Sequence, residues 1–159
     1  MSLITTELFN IDILNFLNSL NLQYFKGVFS SDNIPRFTDD FVLICNLSNM
    51  NEPGTHFIAI SKIQNTLTIF DPLALHLMNR NLQDVIAALK RKCEHLIFMQ
   101  SPVQPLASHG CGMYCIFFVL LYHTSIMKNT PTLIPFQSND NLNDSICIRN
   151  VLILYETLQ

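Results

Sequence analysis

Tryptophan is absent from this 159-residue chain, glycine occurs only four times, and charged residues make up just 13% of it. With 49% apolar residues beside so few charges, the surface is unusually neutral, which suits a protein that sits against a partner. There is no basic excess: the net charge is −3, and the single dense basic cluster is Lys90-Arg91-Lys92. That argues against general nucleic-acid binding, whose footprints are larger. The longest apolar run, Gly110 to Tyr122, has 13 residues, short of the roughly 20 that span a bilayer, so no membrane partner is expected. A basic-then-apolar leader is missing as well, because Glu7 and Asp12 interrupt the amino-terminal stretch. Secretion by a signal peptide is therefore not expected. Paired Cys-x-x-Cys motifs are missing too. The five cysteines (Cys45, Cys93, Cys111, Cys115 and Cys147) are an odd number that fits neither a disulfide framework nor a zinc ribbon. A reducing compartment follows, and at least one cysteine needs an individual explanation.

What is present has the length of one domain, residues 1–159. Apolar residues at helical spacing predict a helix over Leu8 to Leu22, and turn formers make Gly27 to Asp40 a loop. Phe41 to Leu47 is short and continuous enough for a buried strand. His56 to Ser61 and Thr66 to Phe70 read as a hairpin joined by Lys62 to Asn65. Asp71-Pro72 ends the second strand, since proline cannot donate to a ladder. Leu82 to Cys93 has helical spacing and a basic end, His95 to Gln100 is a short strand, and Cys111 to Thr124 is a helix apolar nearly all round. Asp144 or Ser145 can cap a last helix reaching about Leu158. The fold class is α+β: a central mixed β-sheet packed by helices.

The stretch from Val103 to Cys115 carries most of the chemical information. Cys111 stands where a loop enters a hydrophobic helix, and a helix N-terminus offers free N–H groups and a positive dipole end that favour a thiolate. Gly110 and Gly112 flank it without side chains, so a peptide could approach the backbone closely. A buried structural cysteine beside a glycine turn is the plainer reading. His56, sharing a strand face with Ile58 and Ile60, would by itself be a core histidine. Asp71, at the end of the neighbouring strand, gives that imidazole a carboxylate within reach, as a base and its orienting acid require. Gln104, seven positions before Cys111, is a side-chain amide placed where an oxyanion donor is needed. Two rival constellations exist. His109, two residues from Cys111, could serve as its base, and His109, Cys111, Cys115 and His123 offer metal-ligand types without a standard spacing. No metal and no small-molecule cofactor is expected.

Gly54-Thr55-His56-Phe57-Ile58-Ala59, then Phe70-Asp71-Pro72-Leu73, then Gln104 with six residues before Cys111-Gly112, resemble the adenovirus proteases (adenain). Those enzymes carry Gly-x-His-Trp-x-Ala, Phe-Glu/Asp-Pro-Phe, and a glutamine seven positions before Cys-Gly. The amino-terminal helix and Asn-Thr-Pro-Thr at 129–132 extend the resemblance over most of the chain. There are departures from the pattern: Phe57 replaces the tryptophan beside the base, and Asp71 replaces the glutamate of many adenovirus enzymes.

The resemblance implies an adenain/SUMO-protease-like cysteine protease fold, with His56, Asp71 and Cys111 as the triad and Gln104 at the oxyanion. It implies an endopeptidase of a diverged virus, or of a Maverick/Polinton-type element, that cuts viral precursor polypeptides during particle maturation in the virion and the infected cell. Adenovirus proteases are also stimulated by DNA and by a peptide disulfide-linked to a cysteine upstream of the glutamine, which carries over to Cys93, eleven positions before Gln104. The acidic net charge weakens the DNA half of that expectation. A protease for SUMO, ubiquitin or a similar modifier is the alternative; there the glutamine-to-cysteine spacing is expected to be one residue shorter, with Asp where this chain has Gly110. A catalytically silent binding module is the other.

Overall fold

The computed structural model describes residues 8–51, 56–75, 79–98, 101–105, 108–128, 136 and 142–159. Along the chain run α1 (Asn10–Asn18), β1 (Phe25–Ser30), β2 (Phe41–Asn46), β3 (Phe57–Ile63), β4 (Thr66–Phe70), α2 (Arg80–Lys90), β5 (His95–Phe98), α3 (Cys111–Lys128) and α4 (Asn143–Leu158). The five strands form one sheet in the order β1-β2-β3-β4-β5. The inner pairs are antiparallel and the two outer pairs parallel, so the sheet is mixed and the fold is α+β.

Every residue of β2 is buried, because both faces of the sheet are covered. On one face Val42, Ile44, Phe57, Ala59 and Phe70 meet Ile13 and Leu17 of α1, the apolar length of α3, and Cys147 and Val151 of α4. On the other, Phe41, Leu43, Cys45, Ile58, Ile60, Leu67 and Ile69 pack with Leu82 of α2. The strict alternation 41/43/45 against 42/44 is what a pleated strand buried on both faces produces. By length and composition α3 could cross a membrane, but 56% of it is buried inside this fold.

Several boundaries differ from the sequence reading. Phe25–Ser30, partly expected to be loop, forms edge strand β1 beside β2. Gly27 has φ +134° and lies where the register shifts between Phe25 and Val28. The bulge interrupts the alternation from which a strand is read. Lys62 and Ile63 belong to β3, leaving Gln64-Asn65 as the turn, with Gln64 at φ 51°. The second helix starts earlier than expected. The Asn79 side chain accepts the Leu82 N–H at 3.0 Å and donates to the Leu47 carbonyl at 2.6 Å, an N-cap tied to the end of β2. That helix ends at Lys90, which leaves Cys93 in the turn that follows. The last helix begins at Asn143, so neither Asp144 nor Ser145 is its cap. Residues 52–55, 99–100 and 129–132, on which parts of the motif and boundary readings fall, lie outside the described residues.

Candidate active site

Three chain segments converge at one end of the sheet. His56 comes just before β3, with its carbonyl accepting the Leu47 N–H at 2.9 Å. Asp71 comes just after β4, and Cys111 is the first residue of α3. The expectation that His56 shares a face with Ile58 and Ile60 does not hold. Those two pack toward α2, whereas His56 turns to Asp71 and to Cys111, which packs against the opposite core. One residue outside a strand, the pleat no longer dictates where a side chain points.

His56 Nε2 and Asp71 Oδ1 are 2.6 Å apart, with His56 6% and Asp71 0% exposed. A short, buried, charge-assisted bond of this kind is strong. Asp71 Oδ1 also accepts the Leu73 N–H at 2.9 Å, and the Ala74 N–H closes the turn on the Asp71 carbonyl at 3.1 Å. The carboxylate is thus fixed by its own turn before it fixes the imidazole. Nδ1 of His56 is buried and makes no conventional hydrogen bond. The Cys111 thiol is close enough to His56 to act on its titration both as a hydrogen-bond partner and as a charge. Burial would push the His56 pKa down. The hydrogen bond to Asp71, then the one to Cys111, then the charges of the same two groups outweigh it and hold the imidazole up at about 9. At neutral pH the ring is an imidazolium, bonded to the buried Asp71 side chain.

Gln104 is 1% exposed. Its backbone N–H and that of Val103 both donate to the Pro72 carbonyl, at 3.0 and 2.9 Å, so the glutamine segment is tethered to the turn that carries Asp71. Its side-chain Nε2 donates to the Ser108 carbonyl at 2.7 Å. An amide nitrogen carries two hydrogens, and one remains for a substrate oxygen. Since α3 begins at Cys111, the N–H of that residue has no partner within the helix. A thiol, an imidazole with a buried carboxylate behind it, and two N–H donors together can do acyl transfer.

The rival readings fare less well. His109 is exposed, and the imidazole whose titration responds to Cys111 is that of His56. Cys115 is fully buried in the α3 core, where burial raises its pKa well above the thiol range, a poor setting for a metal ligand. Cys93 is half-buried and free, packed against the second core just before edge strand β5. Gly112 is buried. A Cβ there would meet Ile13 Cδ1 at 3.0 Å and Leu8 Cβ at 3.3 Å, so its missing side chain serves the approach of α1 rather than of a substrate. The sequence reading missed the polar groups behind the nucleophile loop: Ser108, Tyr114, Asn143 and Asp144. No local motif marks them, because Ser108 and Asp144 are 36 positions apart.

No family model and no curated protein matches the chain. Among solved structures it is similar to "SUMO protease Ulp1 with the catalytic cysteine oxidized to a sulfinic acid", with TM-score 0.40 and 20% identity over 76% of this chain and 55% of that one. It is also similar to "AvrA delL154 with IP6, CoA", with TM-score 0.47 and 14% identity over 80% of this chain and 54% of that one. The chain thus spans little more than half the length of these solved chains. Both overlaps are shallow, and the functional reading rests on the geometry of this chain's own residues.

Proposed function

We propose that the chain is a cysteine endopeptidase of the adenain and SUMO-protease kind. The observation that carries this is the buried imidazole–carboxylate pair of His56 and Asp71, 2.6 Å apart, set against a thiol at the first residue of a helix. The Cys111 thiolate attacks the scissile carbonyl, and Gln104 and the Cys111 N–H hold the oxyanion. The imidazolium of His56 gives its proton to the leaving amine, leaving an acyl-enzyme. The now neutral imidazole takes a proton from water, whose oxygen displaces the thiolate and frees the new carboxyl end.

The substrates proposed are precursor polypeptides of a viral or virus-like particle, cut in the virion or the infected cell. The support is the seven-residue step from Gln104 to Cys111 and the glycine at 110. The same resemblance extends to an activating peptide at Cys93, which is free and borders an edge strand where an added strand can pair. DNA dependence is not part of the proposal, given a net charge of −3.

Iodoacetamide should label Cys111 before any other thiol. Cys111→Ala and His56→Ala should each lose roughly 10³-fold or more in turnover while staying folded, because such residues act as a unit. Incubation with the precursor proteins of the element's own genome, read by mass spectrometry, identifies the substrate. Release of SUMO or ubiquitin from a fusion, with precursors left intact, would move the assignment to the modifier proteases. An unlabelled Cys111 in the intact chain would make it a binding module.

A further inference from the structure

The loop that enters Cys111 is held by a residue of the last helix. Asp144 Oδ1 accepts the Tyr114 hydroxyl at 2.8 Å and the Ser108 hydroxyl at 3.1 Å. The Ser108 hydroxyl oxygen in turn accepts the Gly110 N–H at 3.1 Å, which fixes the His109–Gly110 peptide, the one that leads into the nucleophile's own. The carbonyl of the same Ser108 receives the Gln104 amide at 2.7 Å. One residue earlier in α4, Asn143 Nδ2 donates to the Val103 carbonyl at 2.8 Å, so α4 also grips the strand of chain that carries Gln104.

We propose that Asp144, acting through Ser108, is a positioning residue for the oxyanion site, setting both the Gln104 amide and the backbone at Gly110–Cys111 before substrate arrives. The inference rests on the protease reading. Its physical basis is that oxyanion donors work only when already in place, so a tether to a rigid helix supplies what a mobile loop cannot. Tyr114 is 1% exposed and anchors the carboxylate from α3, so the tether spans the two helices that pack on each other. The geometry also accounts for Gly110. A Cβ there would stand 3.1 Å from the Ser108 hydroxyl oxygen and press on the tether.

The test separates two reactions of one thiol. Alkylation by iodoacetamide needs the thiolate but no oxyanion donor, whereas acylation by p-nitrophenyl acetate passes through an oxyanion. Asp144→Ala and Ser108→Ala should lower the acylation rate about 10- to 100-fold, the scale of a small misplacement of reacting groups. The alkylation rate of Cys111 should stay within about twofold, since Asp144 acts on the donors and not on the His56–Cys111 pair. Amide hydrogen exchange at Gly110 should quicken in both variants. Ser108→Thr, which keeps the hydroxyl, should restore most of the acylation. Parallel loss of both reactions, or acylation at the level of the unaltered protein, overturns the proposal. Failure of the protease reading would show in the unaltered chain, as no alkylation of Cys111 and no acylation. Gly110 exchange then decides the tether by itself, unchanged protection in Asp144→Ala ruling it out.

Discussion

His56 is held between opposed influences, and the balance sets two pH dependences. Burial disfavours its charge, while the bond to Asp71, the contact with Cys111 and the charges of both groups favour it, so the pKa rises from 6.5 to about 9. Because the folded value is the higher one, the ring's contribution to stability is fully present below pH 6.5 and fades as the pH passes through about 9. In the proposed reaction the imidazolium supplies the proton to the leaving amine, so the alkaline limb of kcat/KM should lie near pH 9. Asp71→Asn removes the largest of the upward influences. It should move that limb down toward the ordinary histidine range and lower kcat by up to about 10⁴-fold, the loss that the same change causes in a serine-protease triad. A pH–rate profile of the two proteins checks this. An alkaline limb that stays in place in Asp71→Asn would show that the carboxylate does not hold the imidazolium.

At the scale of elements, the parts legible in the sequence were those specified by near neighbours. Phe70-Asp71-Pro72 announces a strand end and a carboxylate in the same three letters, and the apolar run after Cys111 announces a buried helix. Edge strand β1 was not legible, because Gly27 sits in a bulge that breaks its alternation. The Asn79 cap was hidden because half of its role is a bond to Leu47, 32 positions away. The tether from Asp144 exists only after α4 has docked. Gly112 shows how a motif residue can be read correctly in place and wrongly in purpose. Its Cβ position is 3.0 Å from Ile13 Cδ1 and 3.3 Å from Leu8 Cβ, so Gly112→Ala pushes α1 off the start of α3. Overpacking costs about 1–3 kcal/mol, offset by a helix-propensity gain of at most about 1 kcal/mol. The melting temperature should therefore fall by several degrees. Ile13→Val, which deletes the obstructing methyl, should cost about 1 kcal/mol by itself yet recover part of the loss when combined with Gly112→Ala. Simple addition of the two losses would show that the helices do not meet there.

At the scale of the whole molecule, three of the five thiols are buried, on both sides of one sheet. Cys45 lies in the core under α2, and Cys115 and Cys147 lie in the core beneath α3 and α4. Burial, then the charge of Asp32, pushes the Cys45 pKa up to about 12, and burial first of all raises Cys115 and Cys147 as well. Thiols so placed react as thiolates only when the chain opens. Cys93 and Cys111 are only half-buried and should react in the folded protein. The other three then report on the integrity of the two cores independently. The strands that separate the cores also join them. Along β2, Phe41, Leu43 and Cys45 face one side while Val42 and Ile44 face the other, so neither core can lose its strand without exposing its counterpart. Two cores that share their strands are accordingly expected to open all three sites in one cooperative transition. Pulsed alkylation across a urea series, with each cysteine followed by mass spectrometry, should give one midpoint for Cys45, Cys115 and Cys147. An earlier midpoint for Cys147 alone would mean that α4 detaches first. In that event loss of p-nitrophenyl acetate acylation should track the Cys147 midpoint and precede exposure of Cys45, because the tether from Asp144 to the Cys111 loop leaves with the same helix.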